Sequence, residues 1–416
     1  MSGGKKMEKD IKSLVDSGDV LFMMLGAVMV FVMHGGFAFM EVGTVRKKNQ
    51  VNALVKILVN FALSTLVYFF IGFSIAYGID LFLPARELIT DKQGYELVHF
   101  FFLLTFAAAI PAIISGGIAE RAKFWTQALA AGIFVGIAYP LFEGMVWGQI
   151  TFLGQSDSWL TGISGGVPFH DYAGSVIVHS MGGWIALTAV IVLGPRLGRW
   201  DSEGRSRPIP ISNVPLMALG SWMLIVGWFG FNVMSAAKIQ GISGLVAMNS
   251  LFAMVGGIIA ALVISKNDPG FVHNGALAGL VAICAGSDKV HPIGALVIGA
   301  VGGFIFAKGF ILEQEKLKID DVLGVWPLHG LAGSWGGIAC GIFGQEALGG
   351  LGEVSFIAQL IGTLVAIGVA LLFGFSTYKI LDVAFGIRLT KEEEQKGSDL
   401  TIHKIESYPE QVTSRF

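Results

Sequence analysis

The sequence predicts an all-α polytopic membrane protein, with eleven transmembrane helices in a five-plus-five inverted repeat and an extra C-terminal helix. The first observation is composition: of 416 residues, 54% are hydrophobic and 14% charged, whereas a soluble domain carries about a quarter charged residues. The second is the presence of 57 glycines, because helices in lipid pack closely across small residues. The third is a repeated aspartate–histidine spacing. The net charge of −2 gives no reason to expect a nucleic-acid partner.

A window of about 20 residues, the length that crosses roughly 30 Å of hydrocarbon, finds eleven candidate spans in the lipid bilayer. They centre near residues 30, 66, 106, 136, 184, 226, 254, 280, 302, 335 and 368. The eighth, at about residues 272 to 287, is short and rich in Gly and Ala. An odd number of spans predicts that the two termini lie on opposite sides of the membrane.

Loop charges predict the orientation. The loops after odd-numbered spans contain twelve Lys and Arg residues, and the opposite loops contain four: Arg86, Lys92, Lys238 and Lys289. Because positively charged loops stay cytoplasmic, we expect a multi-pass protein of the cell (inner) membrane with its N-terminus outside and its C-terminus in the cytoplasm. Four lysines in the N-terminal tail count against this orientation, although four acidic residues accompany them.

The predicted organisation has three parts. Residues 1–19 form an extracytoplasmic tail, residues 20–385 the membrane domain and residues 386–416 a cytoplasmic tail. The first tail has no apolar core of its own, which argues against a signal peptide.

Two similar motifs place a histidine inside a span. DYAGSVIVHSMGG begins at Asp171 and DVLGVWPLHGLAG at Asp321, and His179 and His329 follow eight residues later in each case. At 1.5 Å per residue, each histidine lies about 12 Å deeper than its aspartate. Because the two spans run in opposite directions, the histidines approach the midplane from opposite sides, as in an inverted-topology transporter.

Each of these residues has a simpler structural interpretation. A single imidazole in a membrane helix commonly hydrogen-bonds a neighbouring helix, and we interpret His34 in this way. For His179 and His329 the symmetry favours a pathway lined by ionisable residues; without a third ligand the pair is a poor match for zinc, so no metal is expected. Asp171 and Asp321 are predicted to accept hydrogen bonds from free amides at helix starts, and Asp171 is also a candidate source of negative field at an outer vestibule.

Two glutamates, Glu41 and Glu120, stand close in sequence to Arg46 and Arg121, and we expect them to form interfacial ion pairs with these arginines. No carboxylate pair, nucleophile arrangement or phosphate-binding loop is recognisable, and the Gly-rich stretches lie inside spans. We therefore expect neither an enzyme nor a cofactor.

The two histidine motifs resemble those of the ammonium transporter (Amt/Mep/Rh) family. GGIAERAKF (116–124), MVWG (145–148), GPRLGR (194–199) and GWFGFNVMS (227–235) resemble further signatures of that family, in the expected order. The likeness covers about residues 20 to 400. It implies a homotrimer of eleven-helix subunits, each with its own narrow pore, an outward N-terminus, and ammonium or ammonia as the partner.

The resemblance also implies roles for individual residues. Phe106, Trp147 and Ser235 correspond to an outer recruitment site, where a small cation gains from aromatic faces and from a hydroxyl oxygen. Phe106 and Phe231 correspond to a paired aromatic gate, and His179 and His329 to the twin histidines that share a hydrogen bond along the pore. Without the resemblance, Trp147 is interpreted as an aromatic residue of the membrane interface, and Phe106 as a residue that packs against lipid or within the core. Trp147 with Ser235 points to the Amt branch rather than to the Rhesus proteins.

A dry pore explains why such a protein needs imidazoles. Potassium and ammonium have nearly the same size and charge, but only ammonium can lose a proton and cross as ammonia, and an isolated ion in low dielectric costs tens of kcal/mol. We expect the histidines to be the only polar groups lining a hydrophobic conduit and to relay the proton, because an imidazole can accept at one nitrogen while donating at the other.

Three positions depart from the family pattern. Met234 replaces a small residue before the binding-site serine, which is expected to displace Ser235 or narrow the vestibule. In the C-terminal tail, Ser398 stands where the pattern has Leu and Lys404 where it has Gly, which puts the usual coupling of subunits through the tail in doubt.

The alternative function is an ammonium sensor. Some members of this fold are receptor modules with a signalling domain after the last helix, and a chain that stops at Phe416 fits a shortened version of such a protein. The resemblance thus implies either a PII-type regulator on the cytoplasmic loops or an attached signalling domain as a further partner.

Overall fold

A computed structural model describes residues 2–90, 94–239 and 241–410; Lys92, counted among the loop charges, lies outside them. The described residues are almost entirely helical and contain no β-strand, only two isolated bridges. Short helices at Ala85–Leu88 and Lys391–Lys396 accompany eleven longer ones. The longer ones are α1 (Ser2–Thr44), α2 (Lys47–Tyr77), α3 (Tyr95–Ile118), α4 (Phe124–Val146), α5 (Ser175–Leu193), α6 (Val214–Ala236), α7 (Ile242–Ser265), α8 (Pro269–Ile283), α9 (Pro292–Leu317), α10 (326–343) and α11 (Phe356–Phe385).

These helices confirm the predicted fold class, and one lies at each of the eleven predicted positions. In the described part of the chain, nine are long and apolar enough to cross a membrane. Helix α8 has only 15 residues, about 22 Å at 1.5 Å per residue. Helix α10 consists of a six-residue π-helical turn and twelve α-helical residues. Eleven membrane crossings therefore remain a prediction.

Local sequence explains where several helices begin. The side chains of Asn213, Asp268 and Ser355 accept hydrogen bonds from backbone amides in the first turns of α6, α8 and α11. Proline follows the cap within two residues in α6 and α8, where its missing N–H leaves no unsatisfied donor. These signals separate consecutive apolar segments that composition alone would run together.

The starts of α5 and α10 repeat the same local structure. In each, a glycine three residues after the aspartate adopts a left-handed conformation, with φ +90° at Gly174 and +68° at Gly324, a region that favours residues without a Cβ. A six-residue π-helical turn follows and contains the histidine, at Ser175–Ser180 and Trp326–Leu331. Such turns are rare and frequently mark functional sites.

Helices α5 and α10 cross with their backbones in contact. A Cβ built on Gly183 would lie 2.0 Å from the backbone nitrogen of Gly330, and one on Gly333 would lie 2.4 Å from the carbonyl oxygen of Ser175. Only glycine permits this approach, which is the small-residue packing expected between helices in lipid. The crossing brings the two π-helical turns together.

The expected ion pairs of Glu41 and Glu120 are partly wrong. Glu120 accepts a 2.6 Å hydrogen bond from Arg46 Nε, but Glu41 pairs with Lys56 at 2.5 Å. Arg121 instead donates to backbone carbonyls, among them that of Asp320 at 2.7 Å. The end of α1 explains the difference, since the helix stops at Thr44 and Arg46 lies beyond it, whereas Lys56 of α2 packs beside Glu41.

A buried charge network joins the loops at this end of the molecule. The Asp320 carboxylate accepts from the Arg196 backbone N at 2.7 Å, from Nε at 2.9 Å and from the guanidinium NH2 at 2.8 Å. Burial alone would raise the pKa of Asp320, but the hydrogen bonds and charge of Arg196 outweigh burial and lower this pKa to about 2. Asp320 is therefore a fixed anion that holds the loop before α10.

The C-terminal tail docks on the start of α2 of its own chain. Ser398, one departure from the family pattern, donates through its backbone N and its Oγ to Asn49 Oδ1, at 2.9 and 2.8 Å. Asp399 accepts from the amides of Val51 and Asn52 at 3.0 and 2.9 Å. Lys404, the other departure, keeps the left-handed backbone of a glycine, with φ +61°. The tail thus retains its docking despite both departures.

The backbone crossing generates a stability prediction. Gly183→Ala must separate α5 from α10, because the new Cβ would lie within 2.0 Å of Gly330 N, and overpacking of this kind costs about 1–3 kcal/mol. We expect a lower thermal unfolding midpoint in detergent, measured by tryptophan fluorescence. Gly368→Ala, in α11 with nothing within 4 Å of the new Cβ, is the control and should unfold no earlier than the native chain. Equal midpoints for both variants would contradict the packing described.

Candidate functional site

The centre of the site is a pair of imidazoles where α5 meets α10. The Nδ1 atoms of His179 and His329 are 3.3 Å apart, and the ring centroids 5.3 Å apart. Both residues are buried, with 0% and 4% of their surface exposed. Since a neutral imidazole donates at one nitrogen and accepts at the other, one Nδ1 donates to the other. The pair therefore shares a single proton between the facing nitrogens.

Aromatic rings continue from the histidine pair towards one face of the molecule. Phe231 lies 5.4 Å from the His179 ring and stacks on Phe106 at 3.8 Å, with only 8° between their planes. Phe106 in turn meets Trp147 edge-on at 6.0 Å. Two rings stacked at 3.8 Å leave no room for a molecule between them. Any path from Trp147 to the histidine pair is therefore closed at Phe106 and Phe231, and a solute passes only if one of these rings rotates.

Trp147 and Ser235 have their hydrogen-bond donors engaged. The Trp147 indole Nε1 donates to the Asp171 carbonyl at 2.7 Å, and the Ser235 hydroxyl donates to the Phe231 carbonyl at 2.7 Å. Trp147 therefore offers its ring face, and Ser235 keeps its oxygen lone pairs, both of which suit a cation that brings its own N–H donors. Ser235 lies one turn beyond Phe231 on the same helix face.

Met234, expected to displace Ser235 or narrow the vestibule, packs against α1. A Cβ on Gly26 would lie 2.5 Å from Met234 Cβ, so the absence of a side chain at Gly26 makes room for the methionine. Ser235 retains its hydrogen bond to the preceding turn beside it.

The two aspartates lie at the starts of the π-helical turns. Asp171 accepts hydrogen bonds from the amides of Gly174, Val176 and Ile177, at 3.0, 2.9 and 2.8 Å. Asp321 accepts from Trp326 N at 2.8 Å. These carboxylates satisfy amides that have no partner within the helix, and so fix the start of each histidine turn.

A small cavity lies on the other side of the histidine pair from Trp147. It has a volume of about 30 Å³, which is enough for one or two molecules the size of water or ammonia. Its lining is mostly apolar, but includes His329, Glu41 and Asn274. Helices α1 and α8 thus each contribute a polar residue to the cavity beside His329.

The sequence analysis does not identify Glu41 or Lys56 as a functional candidate, although the position of each within an apolar segment is a signal. Lys56 stands within an apolar run of α2, and Glu41 lies seven residues after His34 in α1. An ionisable residue within a span is itself a functional indication. The sequence predicts an ion pair of Glu41 with Arg46, the nearest arginine, and gives no prediction for Lys56. His34, interpreted as a structural histidine, contacts the carbonyl of Thr105 through Nε2 at 3.2 Å.

The fold and this site define a class: a polytopic α-helical membrane protein whose interior holds a column of aromatic rings that ends at a buried histidine pair. The family model described as Ammonium Transporter Family matches residues 21–408. The chain belongs to the ammonium transporter family.

Two named relatives agree with this assignment. The chain is 41% identical to ammonium transporter Amt2 of Methanocaldococcus jannaschii, over 97% of this chain and 94% of the relative. It is 37% identical to ammonium transporter Amt2 of Archaeoglobus fulgidus, over 94% and 88% of the two chains. These relatives are named as transporters rather than as enzymes.

Solved structures share the fold. A protein described as a sensor Amt protein is 32% identical, with a TM-score of 0.84 over 94% of this chain and 99% of its own. Nitrosomonas europaea Rh50, described with the conduction mechanism of the Rhesus family of channels, is 25% identical, with a TM-score of 0.72 over 96% of each chain.

The Asp171 contacts generate the next prediction. Asp171→Asn keeps the shape but removes the charge and one acceptor from a group that binds three amides. We expect a loss of about 2 kcal/mol in the free energy of unfolding, because hydrogen bonds to charged groups contribute about 1.5–3 kcal/mol. Asp268→Asn, which caps the exposed start of α8 through one amide, is the control. Thermal unfolding in detergent compares the two, and an equal shift for both would contradict the role of Asp171.

Proposed function

We propose that the chain conducts ammonium by recruiting NH4+ at an outer aromatic site, removing its proton, passing ammonia along the histidine pair and relaying the proton through the two imidazoles, so that the net transport is of NH4+. One observation carries this proposal: two buried imidazoles with facing nitrogens 3.3 Å apart continue a column of aromatic rings. Membership of the ammonium transporter family supports the substrate.

In this proposal the outer site is formed by Phe106, Trp147 and Ser235. A cation that sheds water there gains from the two ring faces and from the lone pairs of the serine oxygen. The Trp147 ring is held by its hydrogen bond to the Asp171 carbonyl. The negative charge of Asp171 adds to the field that attracts the cation.

The NH4+ ion loses its proton where the side chains that line the passage no longer stabilise a cation. Beyond the stacked rings of Phe106 and Phe231 the passage is lined mostly by apolar side chains, and an isolated cation there costs tens of kcal/mol. Neutral ammonia passes at far lower cost and can hydrogen-bond to the imidazoles. Potassium has no proton to give up, so the same barrier excludes it.

We further propose the arrangement that the sequence predicts around this pathway. Residues 1–19 lie outside the cell membrane, residues 20–385 form the membrane domain and residues 386–416 lie in the cytoplasm. Support comes from the loop charges and from the clustering of Arg46, Arg121 and Arg196 at the end of the molecule where the tail docks. A homotrimer and docking of a PII-type regulator are proposed from the family alone.

The proposal predicts an electrical signal that depends on one histidine. An ammonium jump applied to proteoliposomes should evoke a current, and His179→Ala should reduce it by about a hundredfold, the scale of a lost proton-transfer group. His34→Ala is the matched control, because His34 is also buried in the membrane domain but contacts the Thr105 carbonyl and the Phe61 ring rather than the histidine pair. A His179→Ala current equal to that of the His34→Ala variant would contradict the proposed pathway.

The second candidate function is an ammonium sensor, favoured by the likeness to the protein described as a sensor Amt protein. A sensor would use the same recruitment residues with little or no conduction. The same recording separates the two functions, because a native chain that binds ammonium without a current is a sensor. Restored growth of a transporter-deficient cell on low ammonium would favour transport.

A further inference from the structure

An ion pair is buried beside the cavity below the histidines. Glu41 in α1 and Lys56 in α2 are 2% and 7% exposed, and Glu41 Oε1 lies 2.5 Å from Lys56 Nζ. Ser115 Oγ in α3 donates to Glu41 Oε2 at 2.7 Å, and Lys56 also donates to the Ser115 carbonyl at 3.3 Å. The Glu41 carboxylate is thus held by partners from two neighbouring helices, α2 and α3, and Glu41 is one of the residues that line the cavity.

The geometry connects this carboxylate with the histidine pair. The Phe37 ring lies 6.4 Å from the His329 ring, and Glu41 stands one turn further along α1, about 6 Å away. His329, Phe37 and Glu41 all line the same cavity of about 30 Å³. One or two small molecules fill this space, so a short hydrogen-bonded chain between His329 and Glu41 fits within it.

Structural stabilisation alone does not explain well why Glu41 and Lys56 form a buried ion pair. Burying two charges is expensive, and apolar side chains of similar volume in place of a buried ion pair are often neutral or stabilising. Ionisable residues inside membrane proteins usually mark a substrate or proton pathway. Glu41 meets this description because it borders the cavity that His329 also borders.

We propose that Glu41 is the proton relay on the inner side of the histidine pair, an inference that rests on the proposed function. An N–H bond of protonated His329 breaks and an O–H bond forms on Glu41, through a water in the cavity that accepts the first proton and donates another, which leaves a neutral imidazole and a carboxylic acid. Ammonia leaving the pore then takes this proton: the O–H bond breaks, NH4+ forms and the carboxylate is restored. Lys56 stays protonated and, by favouring the carboxylate, promotes release.

The test uses two signals from proteoliposomes that contain the full chain. An ammonium jump is followed by the current, which reports moved charge, and by an internal pH dye, since ammonia that enters without its proton alkalinises the lumen. The variant is the double substitution Glu41→Gln with Lys56→Met, because Glu41→Gln alone would leave the Lys56 charge unpaired in the passage. Glu313→Gln is the matched control: Glu313 is equally buried at the same end of the molecule, and it is not among the residues that line the cavity.

The expected result is a separation of the two signals. In the double variant the current should fall about a hundredfold, while alkalinisation of the lumen should rise above that of the native chain, because ammonia then enters without its proton. Glu313→Gln should keep both native signals. A native-sized current in the double variant would overturn the inference. A lost current with no rise in alkalinisation would also overturn it, because that result assigns Glu41 and Lys56 a structural role only. A silent native chain would refute the proposed function itself, and the inference would fall with it.

Discussion

The structure depends on one constraint: two helix backbones must cross in contact so that two imidazoles meet in a space that little water can enter. Gly183 lies against Gly330 with no room for a Cβ, and the facing histidine nitrogens are 3.3 Å apart. The other features of α5 and α10 support this meeting. Asp171 and Asp321 bind the amides at the start of each turn, and the left-handed glycines that follow direct the chain into the crossing.

The electrostatics of the passage follow from this geometry. Towards Trp147 the lining is aromatic, which favours a cation without offering it a full charge. At the stacked phenylalanines, 3.8 Å apart, no solute fits, so charge and water are excluded together. Beyond the histidines the lining becomes partly polar again, with Glu41 and Asn274 beside a small cavity. The barrier to a charged species is therefore concentrated around the gate and the imidazoles.

Much of this arrangement could be predicted from the sequence, because the signals are local. Span positions follow from apolar length, and the aspartate–glycine–histidine spacing repeats within thirteen residues in each half. The Glu41–Lys56 pair could not, because its members lie on different helices and only the packing of α1, α2 and α3 brings them together. The nearest arginine in sequence, Arg46, was the wrong partner for Glu41 for the same reason. Gly26, which accommodates Met234, is likewise visible only in three dimensions.

The central claim, that a cation passes only after it gives up its proton, is tested most directly by the discrimination between ammonium and potassium. Equal inward gradients of the two ions are applied to proteoliposomes that contain the native chain, and the currents are compared. The account predicts an ammonium current at least about a hundredfold larger than the potassium current, because an ion that keeps its charge faces the full cost of the dry segment. Equal currents would show that charged ions cross intact, and would contradict the account.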